Sequence, residues 1–381
     1  MSGTTVCPHV ALYLPNLHGG GAERAFVELA KEFVALGVRV DLVLSHRSGP
    51  YVDEVPRAIR ILDLGTRRRI RSLVRLAGYL KHERPDVLLA GGDVSNAVAL
   101  LASVVAGVRE RCVIGQRSMM RPVWRIQRPV TWLLWFWVLR ALYARSRIVI
   151  CNSTAAYAEM INDVGIPETR CAVIHNGVDV ERIQRLAQEE ADDPWFASPA
   201  RPLLISVGSL IPVKDMATVL HAFALVQRSH ASNLLILGEG EERSRLESLA
   251  SELGIVHVMQ MPGFVKNPFS WISRARVLIS ASLTEGCPNV IQQALACNTS
   301  IVATDCPGGT AEILEHGKWG RLVPMRDPEA MASAIVATLE DPDPPDGRLR
   351  AADFDSRRCA EEYLRLLLPG FRPQGIPKGP R

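Results

Sequence analysis

No Cys-x-x-Cys pair and no histidine cluster at metal-ligand spacing occurs in the 381 residues, and the eight cysteines (7, 112, 151, 171, 287, 297, 306, 359) are scattered. That excludes both a zinc-ribbon reading and a disulfide framework; unpaired thiols fit a reducing cytoplasm. Met1 to Pro8 lacks a charged head followed by a long apolar segment, so no secretory leader is expected. The longest apolar run, Trp132 to Leu139, is eight residues, far short of the roughly 20 needed to cross a bilayer. A large charge excess is also missing, since the net charge is +4, and no recognised nucleic-acid module is present, which argues against a nucleic-acid partner.

With 48% hydrophobic and 22% charged residues, the chain reads as globular, and its length calls for two domains rather than one core. The small net charge hides a division. Residues 1 to 185 carry 25 Lys/Arg against 16 Asp/Glu, or +9, and the remainder carries −5. The first half is therefore suited to an anionic partner.

Apolar runs and helical patterns alternate. Val10 to Leu14 leads through Gly19-Gly20-Gly21 into a helical pattern from Ala22 to Leu36, and Val38 to Leu44 follows. Further strands are predicted at Val87 to Ala90, Val113-Ile114, Ile148 to Cys151 and Val173-Ile174. Gln188 to Ala200, rich in acids and prolines, reads as a linker. The alternation then resumes with strands at Leu203 to Val207, Asn233 to Leu237, Val256 to Met259, Val277 to Ser280 and Ile301 to Thr304, with helices at Met216 to Arg228 and Glu241 to Leu253. Such alternation predicts α/β architecture with two doubly wound parallel sheets. Ligands of such sheets lie beyond the carboxyl ends of the strands.

Chemistry concentrates in the loops at those ends. Thr284-Glu285-Gly286-Cys287-Pro288-Asn289-Val290 joins a strand to a short apolar helix, so an acid stands beside helix N-terminal amides, a pairing suited to a sugar and a phosphate. Gln293 follows eight positions after Glu285, within reach of a ribose; the same spacing also suits a capping acid and a solvated glutamine. Gly208 to Asp215 is a second strand-to-helix loop, in which Lys214 is either a phosphate-binding point charge or an ordinary exposed lysine. Gly238-Glu239-Gly240 is a third loop. The Gly19 to Gly21 run ends in Ala22-Glu23-Arg24 and so does not complete Gly-x-Gly-x-x-Gly, which argues against a dinucleotide site.

These segments resemble the GT-B glycosyltransferases of family 4 (the group 1 family), retaining enzymes. The likeness runs from Gly19-Gly20-Gly21-Ala22-Glu23-Arg24 through Val173 to Asp179 and on to Gly320-Arg321-Leu322-Val323-Pro324. It implies two Rossmann-like domains facing across a cleft: residues 1–187 for the acceptor, a linker at 188–200, residues 201–345 for the nucleotide sugar, a C-terminal helix at 346–368 and a flexible tail at 369–381. It implies further that Lys214 and Glu285 are the catalytic pair, that Lys214 and the amides after Glu285 neutralise a diphosphate in a donor loop of Gly286, Cys287, Pro288, Asn289 and Val290, and that Glu285 holds the donor sugar. Gln293 would meet the ribose, Val265 the base through its backbone, and Gly19, Gly20 and Gly21 the phosphates; Ser209 and Gly238 line the same donor site. No metal or other cofactor is expected, because Lys214 and helix dipoles take that role. The chain departs from the family at three places: Gln293 stands for a glutamate, Ser209 for an arginine, and Gly115-Gln116-Arg117 for a histidine past the strand. Arg117 is expected to restore part of the missing positive charge.

Arginines interleaved with apolar residues at 67 to 76, and seven more among tryptophans between 117 and 147, point to a membrane interface, with Arg67, Arg68, Arg71, Arg117, Arg121, Trp124 and Trp132 as candidate contacts; the competing reading of Trp132 to Leu139 is a buried core helix. The expectation is a cytoplasmic, membrane-peripheral transferase, at the inner face of the plasma membrane, that moves a hexose or N-acetylhexosamine from a UDP-sugar to a lipid-linked saccharide for an envelope glycan. A non-catalytic glycan-binding scaffold and a sugar-nucleotide epimerase are the alternatives.

Overall fold

The computed structural model describes residues 7–18, 20–122, 131–190, 195 and 201–372, and they fall into two compact units. Unit 1 holds the chain to Arg121, from 131 to Gly177, and from Ser356 onward; unit 2 is built on Val178 to Asp355. Unit 2 thus begins ahead of the expected boundary at 187. The stretch read as one C-terminal helix is divided: Gly347–Ala351 belongs to unit 2, while Ser356–Leu367 belongs to unit 1. Most of the predicted linker (191–194 and 196–200) and tail (373–381) lie outside the described residues.

Unit 1 has strands β1 (His9–Leu14), β2 (Arg39–Leu44), β3 (Arg60–Asp63), β4 (Val87–Gly91), β5 (Cys112–Gln116), β6 (Val149–Cys151) and β7 (Cys171–Val173). They form one sheet in the order β3-β2-β1-β4-β5-β6-β7, and every pair is parallel. Central β1 and β4 are buried at every residue, as continuous apolar runs in a sheet covered on both faces should be. Strand β3 escaped the sequence pattern because it is an edge strand whose end residues, Arg60 and Asp63, are exposed.

Helices α1 (Gly21–Ala35), α2 (Arg69–Glu83), α3 (Asp93–Ala106) and α4 (Trp132–Tyr143) cover this sheet. The strand order grows one way from β1 to β3 and the other way from β4 onward. Right-handed crossovers therefore place α1 on one face and α2, α3 and α4 on the other. The contacts agree: α3 packs on both α2 and α4, and α1 packs on the Ser356–Leu367 helix, where Phe33 meets Tyr363 edge-on with ring centroids 6.5 Å apart.

Unit 2 continues with α5 (Val180–Ala187), β8 (Leu203–Val207), α6 (Met216–Val226), β9 (Asn233–Leu237), α7 (Arg243–Glu252), β10 (Met259–Gly263), β11 (Val277–Ser280), α8 (Asn289–Ala296), β12 (Ser300–Thr304), β13 (Arg321–Val323) and α9 (Pro328–Leu339). The sheet order is β10-β9-β8-β11-β12-β13, all parallel. The strand expected at Val256 to Met259 is displaced: Val256–Val258 forms a 3-10 turn directly after Gly254 and Ile255 close α7, and the strand starts at Met259. It carries Pro262, tolerated because β10 is an edge.

Candidate active site

The order of unit 2's strands turns between β8 and β11, which are direct neighbours. Loops leaving two such strands must lie side by side at the carboxyl end of the sheet. The amide of Leu283 donates to the carbonyl of Val213 at 2.8 Å, tying one loop to the other. In the first loop, Pro212–Lys214 makes a 3-10 turn and Asp215 takes a left-handed φ of 45° before α6 begins. In the second, Glu285 precedes Gly286, Cys287 and Pro288, all buried, and α8 starts at Asn289.

Across the junction Lys214 Nζ lies 2.5 Å from Glu285 Oε1. Ser282 Oγ donates to the same oxygen at 2.6 Å. The carboxylate side chain is 11% exposed and that of the lysine 25%, so the pair is neither an idle surface bridge nor sealed from a ligand. Among the described residues no hydrogen bond reaches Glu285 Oε2. An ammonium and a carboxylate with an open oxygen thus meet in the loop that leads into α8.

Glycines let the surrounding loops touch backbone to backbone. At Gly238 (φ +143°) a Cβ would fall 1.9 Å from the Gly208 carbonyl oxygen, and Leu210 N donates to Glu239 O at 2.8 Å. The Gly238 loop is therefore a brace for the Lys214 loop. Gly238 N in turn donates to Gly263 O at 2.8 Å, which brings in the loop that carries half-buried Val265. Ser209 is exposed beside Gly208. Glu239 is held by Arg243 at 2.6 and 2.8 Å, and that hydrogen bonding lowers its carboxyl pKa.

Gln293 is 8% exposed, so it is not the solvated side chain that its spacing also permitted, and half-buried Asn289 and Val290 open the helix on which it sits. Sequence reasoning missed two contributors. Ser282 carries no motif of its own. Pro307-Gly308-Gly309 forms a further brace: Glu285 N donates to Pro307 O at 3.1 Å, Gly309 N to Gly286 O at 2.9 Å, and a Cβ on Gly308 (φ +131°) would lie 1.6 Å from Glu285 O. Its signal was present, since Cys306-Pro307-Gly308-Gly309-Thr310 follows the Ile301 to Thr304 strand with the same strand-glycine-helix pattern. Beside it, burial pushes the Cys306 thiol up to about 11, so that cysteine stays protonated.

In unit 1, Gly20 is the extended N-cap of α1 and Gly21 its first residue; Gly19 lies outside the described residues. A Cβ on Gly20 would lie 2.3 Å from Glu23 Oε2, and burial raises the pKa of that carboxyl. Arg67, Arg68 and Arg71 are exposed as expected. Arg117 is not a surface contact. Its guanidinium carbon stands 4.7 Å from the centre of the Phe26 ring and 5.8 Å from that of Tyr363, it donates to Asn176 Oδ1 at 2.8 Å, and it is buried; two aromatic faces and one amide hold it inside the unit, while its buried Nε has no hydrogen-bond partner among the described residues. Arg121 is engaged as well, 2.8 Å from Asp163 and over Phe136. Trp124 lies outside the described residues. Trp132 opens α4, but its side chain lies outside them too.

Residues 201–341 match the family described as "Glycosyl transferases group 1", and residues 19–182 match "Glycosyltransferase Family 4". The N-acetylgalactosamine-N,N'-diacetylbacillosaminyl-diphospho-undecaprenol 4-alpha-N-acetylgalactosaminyltransferase of Campylobacter jejuni is 25% identical over 374 residues, spanning 94% of this chain and 99% of its own. The lipopolysaccharide core biosynthesis glycosyltransferase LpsE of Rhizobium meliloti is 25% identical over 84% of this chain and 86% of its own. Among solved structures, Anabaena HepE in complex with UDP-glucose superposes with a TM-score of 0.78 at 19% identity, covering 94% of this chain and 99% of that one. WaaG, a glycosyltransferase involved in lipopolysaccharide biosynthesis, gives a TM-score of 0.74 at 15% identity, covering 95% and 100%. These structural likenesses fix the fold.

Proposed function

Since the chain belongs to glycosyltransferase family 4, has the GT-B fold and is a transferase, we propose that it moves a hexose or N-acetylhexosamine from a UDP-sugar to a polyprenyl-diphosphate-linked saccharide in envelope glycan biosynthesis, with retention at the anomeric carbon. The observation that carries this reading is the Lys214–Glu285 pair, 2.5 Å apart at the mouth of α8. Two opposite charges that are well matched to each other are also matched to a sugar diphosphate: the ammonium to the phosphate, the carboxylate to sugar hydroxyls. Binding exchanges one partner for another rather than uncovering bare charge.

In the reaction the bond from the anomeric carbon to the diphosphate oxygen breaks and a bond to the acceptor hydroxyl forms on the same face, while the hydroxyl proton passes to the departing phosphate. Negative charge grows on the leaving diphosphate, and Lys214 with backbone N–H groups of the loop after Glu285, Pro288 excepted, meets it. Glu285 orients the donor sugar, Gln293 takes the ribose, Ser209 and Gly238 flank the phosphates, and the Val265 backbone meets the base. The UDP-glucose bound by the Anabaena neighbour supports the choice of base, and the undecaprenyl-linked substrate in the name of the C. jejuni relative supports the acceptor class. We propose that a lipid-linked acceptor is met at the membrane surface, where the protein is peripheral; no described helix is long and apolar enough to cross a membrane.

Thermal melts with UDP-, GDP- and ADP-sugars test the donor. At about 100 times its dissociation constant the true donor adds roughly 2.7 kcal/mol, and UDP-sugars are expected to be the class that does so. Incubation with bacterial membranes is then expected to release UDP, and to do so equally in EDTA, because lysine and amides supply the positive charge. A protein that neither gains stability from any UDP-sugar nor releases UDP is not this enzyme.

A further inference from the structure

Three helices share one face of the unit 1 sheet, and their outer surfaces break the usual rule for a solvent-facing layer. On α2, Ile70 is 80% exposed and Val74 lies one turn on; on α3, Leu101 is 40% exposed and Val104 and Val105 about half; on α4, Leu134 is 69% and Trp137 55% exposed. Each set falls at i, i+3 or i+4 spacing, so each helix turns an apolar stripe outward while its opposite side fills the core, as Leu76 and Leu80 do on α2 and Leu139 and Tyr143 on α4. Scattered exposed leucines need no explanation, but outward stripes on three helices packed in one layer mark a binding surface.

The surrounding charge says what it binds. Arg67, Arg68, Arg69 and Arg71 are all exposed around Ile70, and among the described residues none of the four pairs with a carboxylate. On α4, Arg140 stands 5.2 Å from the centre of the Trp137 ring and donates to the Asp163 carbonyl at 2.7 Å, so the indole is braced rather than loose. Arginines beside apolar side chains and an exposed indole match the headgroup region of an anionic bilayer, where cations meet lipid phosphate and rings sit at the boundary. A protein partner would be served by the apolar stripes alone and would not call for four arginines that, among the described residues, have no carboxylate partner.

We propose that the outer face of α2, α3 and α4 is a membrane-docking surface for anionic lipid. It rests on the lipid-linked acceptor proposed above, and it assigns the contact to Ile70, Val74, Leu134 and Trp137 with Arg68 and Arg71, leaving Arg117 and Arg121 out.

Co-sedimentation of the full chain with phosphatidylcholine vesicles, with and without 30% phosphatidylglycerol, tests it. Binding is expected to the anionic vesicles, to weaken at least tenfold in 0.5 M salt and in Arg68→Glu/Arg71→Glu, and to weaken at least tenfold in Leu134→Glu/Trp137→Glu, with melting temperatures held. Equal sedimentation by the two lipid mixtures, variants that bind like the parent, or an oligomer that the Leu134/Trp137 variant dissolves without any lipid binding would each overturn the assignment. UDP-sugar stabilisation measured on the same samples separates the two readings: lost vesicle binding with an intact UDP response removes the surface alone, and an absent UDP response with intact vesicle binding removes the donor reading alone.

Discussion

Replacing Lys214 by alanine is expected to lower kcat/KM by about two to three orders of magnitude, the cost of deleting one preorganised donor from a developing anion, about 2.7–4 kcal/mol. Most of the loss should fall in kcat, because the charge on the leaving diphosphate grows in the transition state. Lys214→Arg should recover part of it, since the charge is kept but a planar fork replaces a point charge. A structural lock is the competing account of the same geometry: Lys214 and Glu285 join two loops that Leu283 and Val213 already tie together. The double variant Lys214→Met/Glu285→Gln decides between them. If the pair only fastens loops, removing both charges should restore most of the stability and the activity lost in the single variants. If the lysine faces the leaving group, stability returns and turnover does not. A Lys214→Ala enzyme within tenfold of the parent would remove the lysine from the chemistry.

That pair shows how far the residues alone could be read. Lys214 and Glu285 were each ambiguous as single loop residues, and only the strand order brings them within 2.5 Å: β8 and β11 become neighbours because the second sheet turns back on itself, a fact of topology that apolar runs do not encode. The runs themselves were legible wherever strands are central and buried on both sides, as at Leu203–Val207, Asn233–Leu237 and Val277–Ser280. Edges were not. Arg60–Asp63 is too polar to stand out, and Pro262 argued against the strand it occupies. Composition located the arginine-rich surface but mixed two classes of arginine. Arg68 and Arg71 are exposed, whereas Arg117 lies between Phe26 and Tyr363, the latter nearly 250 positions away in sequence. No local pattern signals such a partner. The C-terminal helix posed the same difficulty: it was expected as an element of its own, yet only the structure shows that the chain returns to unit 1 to supply it.

Asp41 gives the second large effect, and it concerns stability. Its side chain is fully buried on β2, with Arg60 Nε donating to Oδ1 at 2.8 Å, a second Arg60 nitrogen and Tyr79 Oη (2.7 Å) reaching Oδ2, and His9 Nε2 lying 2.9 Å away. Arg60 is its cross-strand neighbour on β3, and Tyr79 comes down from α2, so one carboxylate binds an edge strand, the strand beside it and a covering helix. Burial pushes the Asp41 carboxyl up, but hydrogen bonds from His9, Arg60 and Tyr79 outweigh it and hold the group far below the usual carboxylate range. A depressed folded-state pKa means that this stabilisation is complete above the unfolded value of about 3.9 and is lost as pH falls through and below it. Asp41→Ala leaves the buried Tyr79 hydroxyl without its acceptor, while Arg60, whose side chain is 42% exposed, keeps its bond to Glu83 at 3.0 Å; leaving a buried donor unsatisfied costs about 1–3 kcal/mol. For a unit of this size that is roughly 2–12 °C of melting temperature, expected in the transition of unit 1 and not in that of unit 2. Asp41→Asn keeps the shape and should cost less, but it can no longer titrate. Its melting temperature should therefore fall less steeply than the parent's between about pH 5 and pH 3. Parallel acid profiles for parent and Asp41→Asn would show that the ionisation of this carboxylate does not hold the sheet edge together.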